Sequence, residues 1–162
     1  MTDWNLPREG GCRCGRLRFS ISASPLATSA CHCTGCQKMT GSAYSLTAMV
    51  PADGFVVTAG EAVIGGLRGP VSRHHFCPSC MSWVFTRIAG MDFVNVRPTM
   101  LDDPAGFEPF METCTAERLP FAATGAVRSF EKFPPMEGIG ALLRDYAEWA
   151  AARDLGQGGA SS

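Results

Sequence analysis

The run CHCTGC, Cys31-His32-Cys33-Thr34-Gly35-Cys36, packs three thiols into six residues. Thiols this crowded pair as disulfides, hold a metal, or act as nucleophiles. Seven of the eight cysteines fall into three tight groups of this kind. Cys12 and Cys14 form a CxC in GGCRCGRLRF, Cys31, Cys33 and Cys36 form a CxCxxC, and Cys77 and Cys80 form a CxxC in HHFCPSC. Cys114, in METCTAERLP, stands alone and reads as a small buried hydrophobe.

The choice among these uses depends on compartment. The opening MTDWNLPREGG has no basic segment followed by an apolar run, so no secretory signal is expected. No stretch approaches the roughly 18 apolar residues that span a bilayer. The expected compartment is the cytosol, where thiols stay reduced and structural disulfides are rare. Metal is then the leading explanation for the cysteines. The 162 residues, 46% hydrophobic and 18% charged, fit one compact soluble domain. A formal net charge of -1, with both signs spread along the chain, offers no basic face for nucleic acid or an anionic membrane.

Residues 16–23, RLRFSISA, alternate Leu17, Phe19 and Ile21 with Arg16, Arg18 and Ser20, the pattern of a half-buried strand. Further strands are predicted at 42–50, 55–59, 82–88, 92–96 and 126–130. Pro51, Asp53-Gly54, Gly65-Gly66, Gly69-Pro70 and Asp102-Asp103-Pro104 punctuate them. Such spacing predicts a mainly β domain of short antiparallel strands, a sandwich or open barrel. Ile139, Leu142, Leu143, Tyr146 and Ala150 recur at helical spacing, which predicts a helix from about Ile139 to Arg153. The chain thus divides into an N-terminal lead (1–9), a zinc-binding β domain (10–134), a C-terminal helix (135–155) and a disordered tail (156–162).

A CxC joined to a distant CxxC makes a closed four-sulfur zinc site from Cys12, Cys14, Cys77 and Cys80. A thioredoxin-like role for the CxxC lacks the βαβ surroundings it needs, and iron–sulfur ligation uses similar cysteine groups. Three thiols then remain at 31–36. Three protein ligands and an open position describe catalytic zinc. The spacing equally allows Cys114 or His32 to close a second structural site.

These motifs resemble the glutathione-dependent formaldehyde-activating family, whose domain also occurs in centromere protein V. GGCRCGRLRF at 10–19, CHCTGCQKMTGSAY at 31–44, HFCPSC at 75–80, LDDP at 101–104 and AERLPF at 116–121 carry the resemblance. It implies a β-tent fold, a structural zinc on Cys12, Cys14, Cys77 and Cys80, and a catalytic zinc on Cys31, Cys33 and Cys36, hence two zinc ions per chain. It also implies addition of glutathione sulfur to formaldehyde, giving S-hydroxymethylglutathione, a carbon–sulfur lyase reaction in reverse. The expected partners are a small thiol and an aldehyde, with neither nucleic acid nor membrane. The alternative is a non-catalytic zinc module for protein interaction.

The chain departs from the family pattern at three places. Met81 stands where a Gly usually follows FCxxC, Glu112 where a His often stands, and Phe121 replaces a Trp. These changes bear on the substrate pocket more than on the metal ligands. Three thiolates on a divalent zinc leave about one negative charge, which makes zinc-bound hydroxide a poor choice and an exogenous thiolate a better-matched fourth ligand. His32 is either a proton relay or a histidine bonded to backbone beside the turn. Lys38 and Arg118 either contact glutathione carboxylates or face solvent. His74 and His75 either support the structural zinc or are ordinary strand histidines.

Overall fold

Leu17, Phe19 and Ile21 are all completely or almost completely buried, as their alternation requires. The computed structural model describes residues 4–157. In chain order its elements are β1 (Arg8–Gly11), β2 (Arg18–Ile21), β3 (Ala27–Cys31), α1 (Thr34–Thr40), β4 (Ser45–Pro51), β5 (Phe55–Ala59) and β6 (Val63–Gly65). Then follow β7 (Ser72–Phe76), β8 (Trp83–Ile88), β9 (Phe93–Val96), β10 (Met111–Thr113), β11 (Arg128–Ser129) and α2 (Ile139–Gln157).

The described strands form two sheets. β1-β2-β5 is a small antiparallel sheet, and β11-β10-β3-β4-β9-β8-β7-β6 is a large one. Between them lies the main core, where Phe19, Ile21 and Phe55 meet Val50, Val84, Phe85, Val94 and Val96. The expected mainly β class holds, with one difference: β10 runs parallel to both β3 and β11. A long connection after β9, residues 97–110, carries the chain back across the sheet before β10 begins, so no tight hairpin forces an antiparallel pair. The strand predicted at 126–130 contracts to two residues, Arg128 and Ser129.

α2 covers the other face of the large sheet near β3. Leu142, Tyr146 and Ala150 are buried against Ala27, Phe110 and Met111. Phe110 lies 5.6 Å from the Tyr146 ring at 70° and 5.3 Å from Trp149, so one aromatic side chain anchors two helix residues about one turn apart. β1 begins inside the lead expected at 1–9, and of the tail expected at 156–162, residues 158 onward lie outside the described residues. No helix among the described residues is long and apolar enough to cross a membrane.

Phe110 is 1% exposed, so Phe110→Ala opens a cavity under α2 and is expected to cost about 3–5 kcal/mol. Thermal denaturation should show a lower midpoint while the metal content of the protein stays unchanged.

Candidate metal centre

Two hairpin ends converge on the first cysteine cluster. Cys12 and Cys14 lie in the β1–β2 turn, and Cys77 and Cys80 lie in the β7–β8 turn. Their sulfurs all come within 4.8 Å of one another. Four sulfurs at about 2.3 Å from one zinc ion stand about 3.8 Å apart. Here Cys12 Sγ is 3.5 Å from Cys14 Sγ, and Cys14 Sγ is 3.7 Å from Cys77 Sγ. Donor type, number and spacing therefore fit a closed tetrahedral metal site.

Local backbone serves the same end. Gly15, at φ +76, lets its N–H reach the Cys12 carbonyl and turn the chain between the two thiols. The Leu17 N–H donates to Cys12 Sγ at 3.3 Å, and Cys80 Sγ lies 3.2 Å from Ser82 Oγ. Hydrogen bonds from the Ser82 side chain and backbone hold the Cys80 thiol down at about 5, the state a metal needs. Met81 sits at φ 57, which accounts for the preference for glycine after FCxxC. Its side chain is exposed.

The second cluster is built by strand alternation and a helix start. Cys31 ends β3 with Ser45 of β4 opposite it on one side and Thr113 of β10 on the other. Cys33 is the N-cap of α1, its Sγ accepting from the Cys36 N–H at 3.3 Å. The three sulfurs of Cys31, Cys33 and Cys36 lie within 4.8 Å of one another. Hydrogen bonding from Cys36, and then from Thr113, holds the Cys31 thiol below its ordinary range, and Cys31 in turn pushes Cys36 up. Three soft donors gathered this closely would suit a metal and leave it a position to spare.

His32 is absent from this group because one step along an extended strand turns a side chain to the opposite face. It is fully buried, and its Nε2 lies 2.9 Å from Glu112 Oε2. The expected backbone contact is thus replaced by a buried carboxylate. Glu112 is the centre of a polar box. Thr124 Oγ1 donates at 2.8 Å, Ser129 Oγ at 2.7 Å and Arg118 Nη1 at 3.1 Å. Burial raises its carboxyl, but the donors, Ser129 first and then His32, Thr124 and Arg118, outweigh that and lower it. Arg118 is an ion-pair partner of Glu112 and keeps its side chain 43% exposed, so it faces solvent as one of its two expected roles has it. Lys38 is exposed on α1. His74 Nδ1 is 2.9 Å from Thr86 Oγ1 and His75 stacks on Phe85 at 4.3 Å, the contacts of strand histidines.

Two further groups border the second cluster. Cys114 is buried as expected, and burial followed by the charge and hydrogen bonding of Cys31 pushes its thiol up to about 12. Arg97, singled out by no motif, is 6% exposed and lies over the Trp83 ring at 4.2 Å. Burial pushes its guanidinium down to about 10, opposed by Cys36 and Cys31. The one sequence signal for Arg97 is that it continues the Phe93-Asn95 alternation of FVNVRP beyond the strand.

Residues 7–117 match the family described as glutathione-dependent formaldehyde-activating enzyme. Two similar proteins are each named "Putative glutathione-dependent formaldehyde-activating enzyme". The one from Emericella nidulans is 27% identical over 88% of this chain and 81% of its own length. The one from Penicillium rubens is 28% identical over 60% of this chain, a stretch spanning about half (53%) of that relative. A crystal structure of a Rhodobacter sphaeroides protein is similar in fold, with a TM-score of 0.50 and 17% identity over 62% of this chain and 91% of that one. The chain belongs to the glutathione-dependent formaldehyde-activating enzyme family.

Two substitutions check the site geometry. Glu112→Gln removes the charge that His32 and Arg118 meet, and is expected to destabilise by about 2–4 kcal/mol at neutral pH. Because the folded-state carboxyl is lowered, its contribution is complete above the unfolded value of 4.5 and is lost as pH falls through the folded one. Denaturation of both proteins should show the gap closing below that pH. Met81→Gly relieves a left-handed backbone and should raise stability by about 1 kcal/mol.

Proposed function

From that family membership, we propose that the protein is a zinc-dependent carbon–sulfur lyase-type enzyme acting on a glutathione–aldehyde adduct such as S-hydroxymethylglutathione. The observation that carries this reading is the asymmetry of the two clusters: four thiols gathered in one, three in the other. Cys12, Cys14, Cys77 and Cys80 would hold a structural zinc, and Cys31, Cys33 and Cys36 a catalytic one. Bound to three thiolates, zinc would keep an incoming thiol ionised near neutral pH.

The reaction is an addition. The sulfur electron pair forms the carbon–sulfur bond, the carbonyl π pair moves to oxygen, and the thiol proton ends on that oxygen. Reversal breaks the same bond and returns thiol and aldehyde. The chain's part is to assemble and orient the three sulfurs. Thr113 and Ser45 flank Cys31, and the Cys36 N–H fixes Cys33. Glu117 accepts from both the Thr34 N–H and its hydroxyl, and Gln37 Nε2 donates to the His32 and Glu117 carbonyls, so α1 is clamped at the angle the sulfurs need. His32, committed to Glu112 behind the strand, holds that strand in place rather than carrying protons at the sulfurs.

Cys114 favours a second reading. Its thiol interacts with Cys31, and as a fourth ligand it would close the second site into a non-catalytic module for protein interaction. Native mass spectrometry of the reduced protein separates the two. The enzyme reading expects two zinc ions per chain, two again in Cys114→Ala, and one in the Cys31/Cys33/Cys36 triple Ser variant. That triple variant should also lose catalysed S-hydroxymethylglutathione turnover. Loss of one zinc in Cys114→Ala would favour the closed module, and full turnover by the triple variant would end the enzyme reading.

A further inference from the structure

Arg97 is the only buried lysine or arginine among the described residues, and among them it forms no ion pair with a carboxylate. Its Nε has no hydrogen-bond partner, and its Nη2 reaches only the Asn95 carbonyl, at 3.5 Å. The Trp83 ring covers one face of the guanidinium. A desolvated cation is costly unless a negative charge comes to meet it.

The sheet register shows where that charge lies. Ala48 of β4 pairs with Val96 of β9, so Arg97 follows onto the sheet face that carries Asn95. On β4 that face includes Thr47 and Ser45, and across β3 these pair with Ser29 and Cys31. Arg97 therefore shares a face with Cys31, over which α1 brings Cys36. The charges of Cys36 and Cys31 are also those that favour its protonated form.

We propose that Arg97 is a positioning residue for the second cluster: its buried guanidinium supplies the positive charge that lets the open position beside Cys31, Cys33 and Cys36 accept an anionic sulfur in preference to a neutral ligand. This rests on the metal reading of that cluster. Three thiolates already give a divalent ion a net negative charge, and a fourth thiolate adds to it. In a poorly solvated site the second anion is repelled unless a fixed cation offsets it. A guanidinium stacked on an indole is held in place for that role and cannot lose its proton at neutral pH. The site is thereby biased towards thiols that bind as thiolates, and against water or imidazole.

The test uses the cobalt(II)-loaded full chain, whose sulfur-to-cobalt and d–d bands report each new ligand. The probes are 2-mercaptoethanol, which has no carboxylate of its own to pair with an arginine, and imidazole as the neutral ligand. Arg97→Met should weaken 2-mercaptoethanol binding by about tenfold to a hundredfold, the scale of a lost charge-assisted contact, and leave imidazole binding unchanged. Arg97→Lys should recover part of the loss. Arg87→Met, at an exposed arginine on the opposite sheet face, should bind both ligands as the unsubstituted protein does. If Arg97→Met fails to fold, Arg97→Lys and Arg97→Gln supply the comparison. Equal binding of the thiol in these variants, or parallel loss of both ligands, would overturn the role. Absence of cobalt from the second cluster of the unsubstituted protein would instead overturn the metal reading, and the inference with it.

Discussion

Four sulfurs meet where the two sheets of this protein approach each other. Cys12 and Cys14 belong to the hairpin of the small sheet, Cys77 and Cys80 to a hairpin near the edge of the large one. The contacts that accompany them also cross between the sheets: the Arg13 N–H reaches Ser82 Oγ, and Arg16 Nη1 reaches Ser79 Oγ at 3.1 Å. A metal at this point would close a loop of more than sixty residues and fix how the two sheet faces meet over Phe19, Phe55 and Phe85. Strands as short as two to seven residues gain little from their own ladders. A metal tie between these hairpin ends would secure the register of the core.

The second cluster depends on that register in turn. Cys31 faces the cluster only because β3 is held between β4 and β10, with Ser45 and Thr113 as its neighbours. The same alternation sends His32 to the far side, where Glu112 gathers it with Arg118, Thr124 and Ser129. One face of β3 is thus sulfur and hydroxyl, and the other a fully partnered carboxylate. Such a box fixes the strand without competing for the metal. Arg97 adds the missing sign of charge to the sulfur side.

Much of this was legible in the sequence where chemistry and period coincide. FVVTA is strand β5 residue for residue, and the 3.6-residue spacing of Leu142, Tyr146 and Ala150 is the buried side of α2. The grouping of seven cysteines into clusters of four and three matches the two sets of converging sulfurs. β3, by contrast, reads Ala27-Thr28-Ser29-Ala30-Cys31, small residues buried on both faces with no alternation to detect. α1 has seven residues and no buried side chain, so it lacks an amphipathic signature. The Glu112 box was unreadable for a different reason. Its partners lie at positions 32, 118, 124 and 129, and only the parallel pairing of β10 with β3 and β11 brings them together. Met81 shows the opposite case, a position where the backbone, through its φ of 57, explains at once why glycine is the usual residue and leaves the methionine strained.

The central claim is that the two clusters differ in kind, one closed by sulfur and one open to a thiol. X-ray absorption at the zinc edge of the fully loaded protein tests it directly. The account predicts sulfur together with a light-atom ligand before any thiol is added, and an all-sulfur environment once glutathione is present. An all-sulfur spectrum from the start, unaltered by glutathione, would contradict it.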